Sequence, residues 1–243
     1  MTDAPAISFV TVCRNAAASL RATIDSIAAQ RGEDVEFVVV DGASTDGTAA
    51  ILDERRRDID TLVSEPDSGI YDAWNKGLTL ARGRYIGFIG ADDRLLPGAA
   101  DAYLAYLRAH PEIDYVSSRV RYGRRVIGQA FDWSRFRRHM TVAHVGSLHS
   151  RALYQRVGRY DPSYRIAGDY ELLLRAGPTL AAGFVDRVTV DMGTAGISSG
   201  HATAVFDETF RAKTTTGARG RGAAHVDRVI AQSKWRARRA LGR

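Results

Sequence analysis

Tyr85-Ile86-Gly87-Phe88-Ile89-Gly90-Ala91-Asp92-Asp93 decides how this chain is read. Six uncharged residues give way, after Ala91, to two adjacent carboxylates, the pattern of a buried strand that stops and opens into a loop. Hard carboxylate oxygens suit Mg²⁺ or Mn²⁺, ions usually held by one or two carboxylates and substrate phosphates. Asp also favours turns, so an isolated pair would read first as an acidic turn. The surrounding chain reverses that weighting.

Upstream, Ile7–Val12 and Val35–Val40 are short apolar runs, and Thr61–Ser64 is a third. The second shows no polar alternation after Glu36, which predicts burial on both faces of a parallel sheet. Helices are predicted between them over Ala16–Gln30, with Leu20, Ile24 and Ile27 at helical spacing, and over Gly47–Arg57. Ile70–Leu80 is a third, with Asp67 or Ser68 as its expected N-cap and Ile70, Trp74 and Leu78 on one face. Arg84–Ile89 is the strand that ends at the Asp pair, followed by a helix over Gly98–Ala109 and a strand over Asp114–Ser118. Strands alternating with helices predict an α/β fold: an open, mostly parallel sheet flanked by helices. Beyond residue 118 the pattern loosens. Val120–Phe131 reads as an irregular hairpin, Arg135–Ser150 has no clear period, Asp169–Ala176 reads as a helix and Phe184–Val190 as a strand.

In such sheets ligands bind beyond the carboxyl ends of the strands. The polar residues collect there: Thr11, Arg14 and Asn15 after the first strand, Asp41-Gly-Ala-Ser-Thr-Asp-Gly-Thr48 after the second, Glu65, Asp67 and Ser68 after the third, and Asp92-Asp93 after the fourth. Four clusters on one rim point to a polar cleft. Asp41 is a candidate acceptor for the N–H groups of a uracil or guanine, while Ser44 and Asp46 are candidate helix caps. Neither a Gly-x-Gly-x-x-Gly after the first strand nor a Walker lysine loop is present, which disfavours a dinucleotide dehydrogenase or a P-loop ATPase.

Val10-Thr-Val-Cys-Arg-Asn15, Val39-Val-Asp-Gly-Ala-Ser-Thr-Asp-Gly-Thr48, Ser68-Gly-Ile-Tyr-Asp-Ala-Trp-Asn-Lys-Gly77 and Gly90-Ala-Asp-Asp93 together resemble the family 2 glycosyltransferases of the GT-A fold. The likeness covers roughly residues 5–190 and is greatest to short bacterial enzymes of exopolysaccharide and glycolipid assembly, colanic-acid-type fucosyltransferases among them. It implies a nucleotide-diphospho-sugar donor (UDP-, GDP- or dTDP-linked), a divalent Mg²⁺ or Mn²⁺, a glycan or lipid-linked acceptor, and transfer with inversion at the anomeric carbon. Residue by residue, it implies Asp93 as metal ligand, Asp92 beside donor sugar or ribose, Asp41 at the base, Thr11, Arg14 and Asn15 in the nucleotide pocket, and Asp67 at the donor site. The first acid of the metal motif is Ala91 here, so the donor diphosphate must help complete the metal site.

Ile166-Ala-Gly-Asp-Tyr-Glu-Leu-Leu-Leu-Arg175 resembles the family segment that carries the catalytic base, which makes Asp169 the expected base, with Glu171 as competitor. An inverting transfer needs a carboxylate to take the acceptor proton. His144 and His149 flank Val145-Gly-Ser-Leu148; His144 better matches a family histidine near acceptor or diphosphate. The same resemblance divides the chain into a GT-A domain over 1–200, with a nucleotide-sugar half to about 118 and an acceptor half over 119–200, and a basic tail over 201–243.

At 243 residues, with 45% hydrophobic and 26% charged residues, the chain has the make-up of a globular protein with a sizeable core. No apolar run approaches a membrane span, and Met1-Thr-Asp-Ala-Pro5 lacks a signal-peptide pattern. The single Cys13 excludes an internal disulfide and fits a reducing compartment. A cytoplasmic protein is expected. Charge is unevenly placed: residues 211–243 hold ten Lys/Arg against one acid, while the remainder holds 24 basic and 27 acidic residues. An amphipathic helix is predicted over Ala223–Leu241, with Val226, Val229, Ile230, Ala237 and Leu241 on one face and Arg228, Lys234, Arg236, Arg238 and Arg239 on the other. Such a tail suits an anionic membrane surface, placing the enzyme on the inner face of the cytoplasmic membrane. Two rivals are weighed. A nucleotidyltransferase would carry a Gly-rich basic loop after the first strand, and Thr11–Ser19 has no Gly. A non-catalytic nucleic-acid-binding protein would interleave basic and aromatic residues over its body, and the body here is acidic, so no nucleic acid is expected.

Overall fold

Apolar β-branched runs become the centre of the sheet. In a computed structural model, described over residues 4–194 and 202–240, the strands are β1 (Ile7–Cys13), β2 (Val35–Asp41), β3 (Thr61–Ser64), β4 (Tyr85–Phe88), β5 (Arg94–Leu95), β6 (Tyr115–Tyr122), β7 (Arg125–Ile127), β8 (Ser147–Ser150) and β9 (Ala182–Met192). The helices are α1 (Leu20–Ala28), α2 (Thr48–Glu54), α3 (Ile70–Leu80), α4 (Ala99–Ala109), α5 (Trp133–Phe136), α6 (Arg151–Val157), α7 (Gly168–Ala176), α8 (Ala202–Thr215) and α9 (Arg221–Ala240). The sheet runs β3-β2-β1-β4-β8-β6-β9-β5, with β7 paired to β6. β3, β2, β1 and β4 are parallel; β8 is antiparallel to both β4 and β6, which restores the original direction in β6 and its parallel partner β9. The sheet is therefore mostly parallel, and β1, β2, β3, β4, β6 and β9 all open onto one carboxyl edge.

Every residue of β2 is buried, as the unalternating pattern predicts. Glu36 is no exception: its carboxylate accepts the Arg82 amide and guanidinium and the Ser8 hydroxyl. Two apolar layers cover the sheet. Leu20, Ile24 and Ile27 of α1 join Phe9, Phe37 and Leu107 on one face, and Tyr71, Trp74 and Leu78 of α3 join Val10, Val38 and Phe88 on the other. Leu20, Ile24 and Ile27 are each wholly excluded from solvent, worth about 1.5–3 kcal/mol per side chain relative to exposure.

Several local expectations shift. α1 starts at Leu20 rather than Ala16, because Asn15 has φ of +53° and residues 17–19 form a turn. α3 is capped by Gly69 at φ +138°, not by a side chain of Asp67 or Ser68 at the cap position. Asp67 instead accepts the Gly69 amide, and Asp72 accepts the Ser68 amide. Residues 201–243 do not form a free tail where they are described. α9 is joined to α8 by a nearly buried set of charges, in which Asp227 faces Lys213 at 3.3 Å and Arg219 at 3.1 Å. Ala212 of α8 is fully buried in the second core layer. The expected domain boundary at 200/201 and the position of Leu241 lie outside the described residues.

Candidate active site

At the carboxyl edge, Thr23 of α1 fixes the loop after β4 by donating its hydroxyl to the Asp93 carbonyl at 2.7 Å. Asp93 folds back over the loop: Oδ2 accepts the Gly90 amide and Oδ1 the Gly193 amide, both at 2.8 Å. The end of β4 is thereby joined to the end of β9. A Cβ on Gly193 would lie 2.1 Å from Asp92 Oδ2, so only glycine lets this strand end approach the acidic pair. Asp93 is 3% exposed, and Asp92 is half-buried on the cleft. Burial pushes the Asp93 carboxyl up to about 6, the Gly193 and Gly90 amides pull it down, and the charges of Asp92 and Asp191 add to the rise. Asp93 and its neighbour Asp92 offer a hard-oxygen donor set. Among the described residues no group of three His, Cys, Asp or Glu side chains converges to cage a metal. The pair thus fits an ion that keeps other ligands, such as diphosphate oxygens or water.

Asp169 stands in the first turn of α7, one position after Gly168, and is not its N-cap, which is Ala167. Its Oδ1 accepts the Tyr170 amide at 2.8 Å and the Tyr71 hydroxyl at 3.4 Å. Burial pushes the carboxyl up to about 6; the Tyr170 and Asp169 amides and the Tyr71 hydroxyl oppose the rise, while the charge of Glu208 adds to it. Burial raises the Tyr71 phenol well above its ordinary range, so it remains a donor. Glu171, the competing candidate, is 7% exposed and faces Arg175 at 2.8 Å, outside the cleft lining. A cleft of about 590 Å³ contains both carboxylate centres.

The amino-acid sequence from residue 8 to 156 matches the model of the family described as Glycosyl transferase family 2. The chain belongs to glycosyl transferase family 2. A PGL/p-HBAD biosynthesis glycosyltransferase of Mycobacterium bovis is 34% identical over 187 residues, covering 71% of this chain and 70% of that protein. Among solved structures, S. aureus TarS 1-349 in complex with UDP aligns with a TM-score of 0.70 at 18% identity, over 86% of this chain and 64% of that one. A Pyrobaculum calidifontis mannosyltransferase in complex with GDP-Man and Mn²⁺ aligns with a TM-score of 0.64 at 21% identity, over 96% of this chain and 76% of that one. At these identities the structural likeness bears on the fold, which is GT-A.

In this glycosyltransferase, six of the nine site residues expected from sequence line the cleft: Arg14, Asn15, Asp92, Asp93, His144 and Asp169. Thr11 does not. It is fully buried within β1, and its hydroxyl has no partner. Asp41 is also turned inward, 1% exposed, and accepts the Ser44 amide and hydroxyl and the Ser64 hydroxyl, with the Cys13 thiol 3.7 Å away. Its carboxylate is spent on shaping the loop after β2. Asp67 lies outside the lining, over Gly42 and beside Arg14. Asn15 binds the same loop, accepting the Thr45 amide at 2.8 Å and donating its own amide to Ser44. Asp46 accepts the Thr48 amide two residues on, but the cap position of α2 is Gly47, so neither Ser44 nor Asp46 is its cap residue.

His144 is 9% exposed, and its ring stacks on Trp74 at 4.5 Å. Burial, then neighbouring His149, push it well below the usual imidazole range, so it is neutral. Both ring nitrogens are covered and unpartnered, so in this conformation it presents a ring face rather than a polar contact. Sequence reasoning missed Tyr71, Gly193 and Thr23. Tyr71 packs in the core, and nothing local in sequence marks a hydroxyl whose acceptor lies 98 residues away.

Proposed function

We propose that this enzyme transfers a sugar from a nucleotide-diphospho-sugar to a hydroxyl of a glycan or glycolipid acceptor, inverting the anomeric carbon. The observation that carries the reading is the presence of two separated carboxylate centres, Asp92-Asp93 and Asp169, in one cleft at the carboxyl edge. Asp169, held at the cleft by α7, takes the proton from the acceptor hydroxyl as that oxygen bonds to the anomeric carbon. The bond from that carbon to the diphosphate oxygen breaks, and the nucleoside diphosphate leaves with its electron pair. Asp93, with Asp92, would hold Mg²⁺ or Mn²⁺, whose chemistry there is neutralisation of the charge on the leaving diphosphate. Arg14 and Asn15 line the adjoining rim and would bound the nucleotide.

α9 supports a second element of the proposal, peripheral attachment to an anionic membrane at the inner cytoplasmic face, where lipid-linked acceptors of bacterial surface glycan or glycolipid synthesis occur. Val226, Val229 and Ile230 are 55%, 47% and 47% exposed, although α9 is packed on α8 through its other side. An exposed apolar row on a helix whose remaining positions carry Lys234, Arg236, Arg238 and Arg239 is the pattern of an interfacial helix. Among the described residues no helix is long and apolar enough to cross a membrane.

Thermal-shift titration with UDP, GDP and dTDP, each with and without Mn²⁺, tests the donor assignment. One nucleotide should raise the melting temperature in a Mn²⁺-dependent way, because a ligand bound only by the folded state stabilises it by mass action. Indifference to all three with metal present would remove the reading.

A further inference from the structure

The segment that leads into α7 is held from a distance. Arg165 and Ile166 precede the helix, and Ala167 is its cap residue with no side-chain acceptor to offer. Glu208, on α8, supplies one. Its Oε1 accepts the Arg165 amide, and its Oε2 accepts the Ile166 and Ala167 amides, each at 2.8 Å. Three consecutive backbone donors thus converge on one carboxylate 41 to 43 residues away in sequence. Negative charge at a helix amino end is also favoured by the helix dipole.

The same segment is gripped on its other side. The Arg165 guanidinium donates to the Ser68 carbonyl and lies against Gly69, where a Cβ would collide with it. Residues 165–167 therefore sit between α8 and the loop that leads into α3, and Asp169 follows two residues later.

We propose that Glu208 is a positioning residue for sugar transfer: it holds residues 165–167 so that Asp169 keeps its place in the cleft beside Tyr71. This inference rests on the reading of Asp169 as the base. Misplacing a reacting group by about 1 Å can cost on the order of 100-fold in rate, so a loosened segment is felt in turnover before it is felt in folding. The charged and titratable groups around Asp169 are Tyr71 from α3, Glu208 from α8, and the buried phenols of Tyr115 and Tyr160. Of these, Glu208 is the one that bears charge, and it acts to raise the Asp169 carboxyl.

Three forms of the full chain decide the matter: wild type, Glu208→Gln and Glu208→Asp. Glutamine offers one carbonyl oxygen and turns an NH₂ toward backbone donors; aspartate keeps the charge and both acceptors. Amide exchange of the segment spanning 165–167 and the carboxyl ¹³C titration of Asp169 are read without ligand. Turnover is read as nucleotide release from UDP-glucose and GDP-mannose with Mn²⁺. Glu208→Gln should expose the three amides, lower the Asp169 midpoint, and reduce turnover of whichever probe wild type consumes by about tenfold or more, with the exchange of β1 and β2 unchanged. Glu208→Asp should keep the midpoint near that of wild type. An unmoved midpoint with unchanged exchange overturns the proposal, as does a rise in exchange throughout the sheet, which would make Glu208 a general stability residue. Asp169→Asn is run alongside: if it retains turnover, the base reading fails on its own account, whereas lost turnover there with full turnover in Glu208→Gln removes the positioning role alone.

Discussion

The Tyr71 hydroxyl donates to Asp169 Oδ1 at 3.4 Å, linking the first turn of α3 to the first turn of α7 across 98 residues. A donor bond to a carboxylate favours the ionised form. The proposed base Asp169 can take a proton only when ionised, so transfer should fall as pH drops through about 6. Tyr71→Phe removes the opposing bond and should move that acidic limb to higher pH. The pH dependence of kcat/KM for the two proteins checks the direction; a limb that moves down or stays fixed contradicts the assigned contact.

Asp93 accepts two backbone amides and is the proposed metal ligand, so one substitution probes both. Asp93→Ala leaves the Gly90 and Gly193 amides without their acceptor, which costs about 1–3 kcal/mol for each buried donor left unpaired. It also removes the proposed metal ligand. The expected result is a lower melting temperature together with loss of the Mn²⁺-dependent part of nucleotide binding, measured by calorimetry. Since the carboxyl is raised to about 6 and a metal competes with its proton, wild-type Mn²⁺ affinity in the presence of nucleotide should weaken as pH falls through that value.

Membrane attachment is testable without deleting α9, whose Asp227 faces the buried Lys213 of α8. Val229→Asp and Ile230→Asp lie on the exposed face and should leave the melting temperature within about 0.5 kcal/mol of wild type in stability terms. Flotation with phosphatidylserine-containing vesicles should recover wild type at low salt and much less of the double variant. Equal recovery of both proteins would argue against the helix as the attachment surface.

The sheet is legible where burial on both faces removes polar alternation. Val35–Val40 needs only its own residues to be read as a central strand, and Ile70–Leu80 is found with the bounds its period predicts. The Asp pair is legible because it ends an apolar run. β8 is not: Ser147-Leu-His-Ser150 has the composition of a loop, and it becomes a strand because β4 and β6 pair with it on both sides. Its serines find tertiary partners, Ser147 in the Tyr115 hydroxyl at 2.6 Å and the Ala143 carbonyl at 2.9 Å, while both ring nitrogens of His149 are buried without one. α8 is invisible for a similar reason, since its weight rests on Glu208 and Lys213, charged residues whose partners are distant backbone atoms and Asp227. In the site, local motifs place Arg14, Asn15 and the acidic pair on the cleft. They cannot show that Thr11 and Asp41 point inward, because side-chain direction at a strand end depends on the loops folded over it.

Asp169 is also a stability liability. Its folded value of about 6 lies above the ~3.9 of an unfolded aspartate, so its contribution favours folding at pH below ~4 and is lost as pH rises through 6. At neutral pH the ionised side chain costs about 1–3 kcal/mol, and Asp169→Asn should raise the melting temperature by several degrees. A lower melting temperature in that variant would contradict the burial argument.

The most direct test of the account is Asp169→Asn in single-turnover transfer, with donor affinity measured on the same preparation. The account predicts unchanged Mn²⁺-dependent donor binding and transfer reduced by about 100-fold or more, the range of a lost general base. Transfer at the wild-type rate by Asp169→Asn would contradict it.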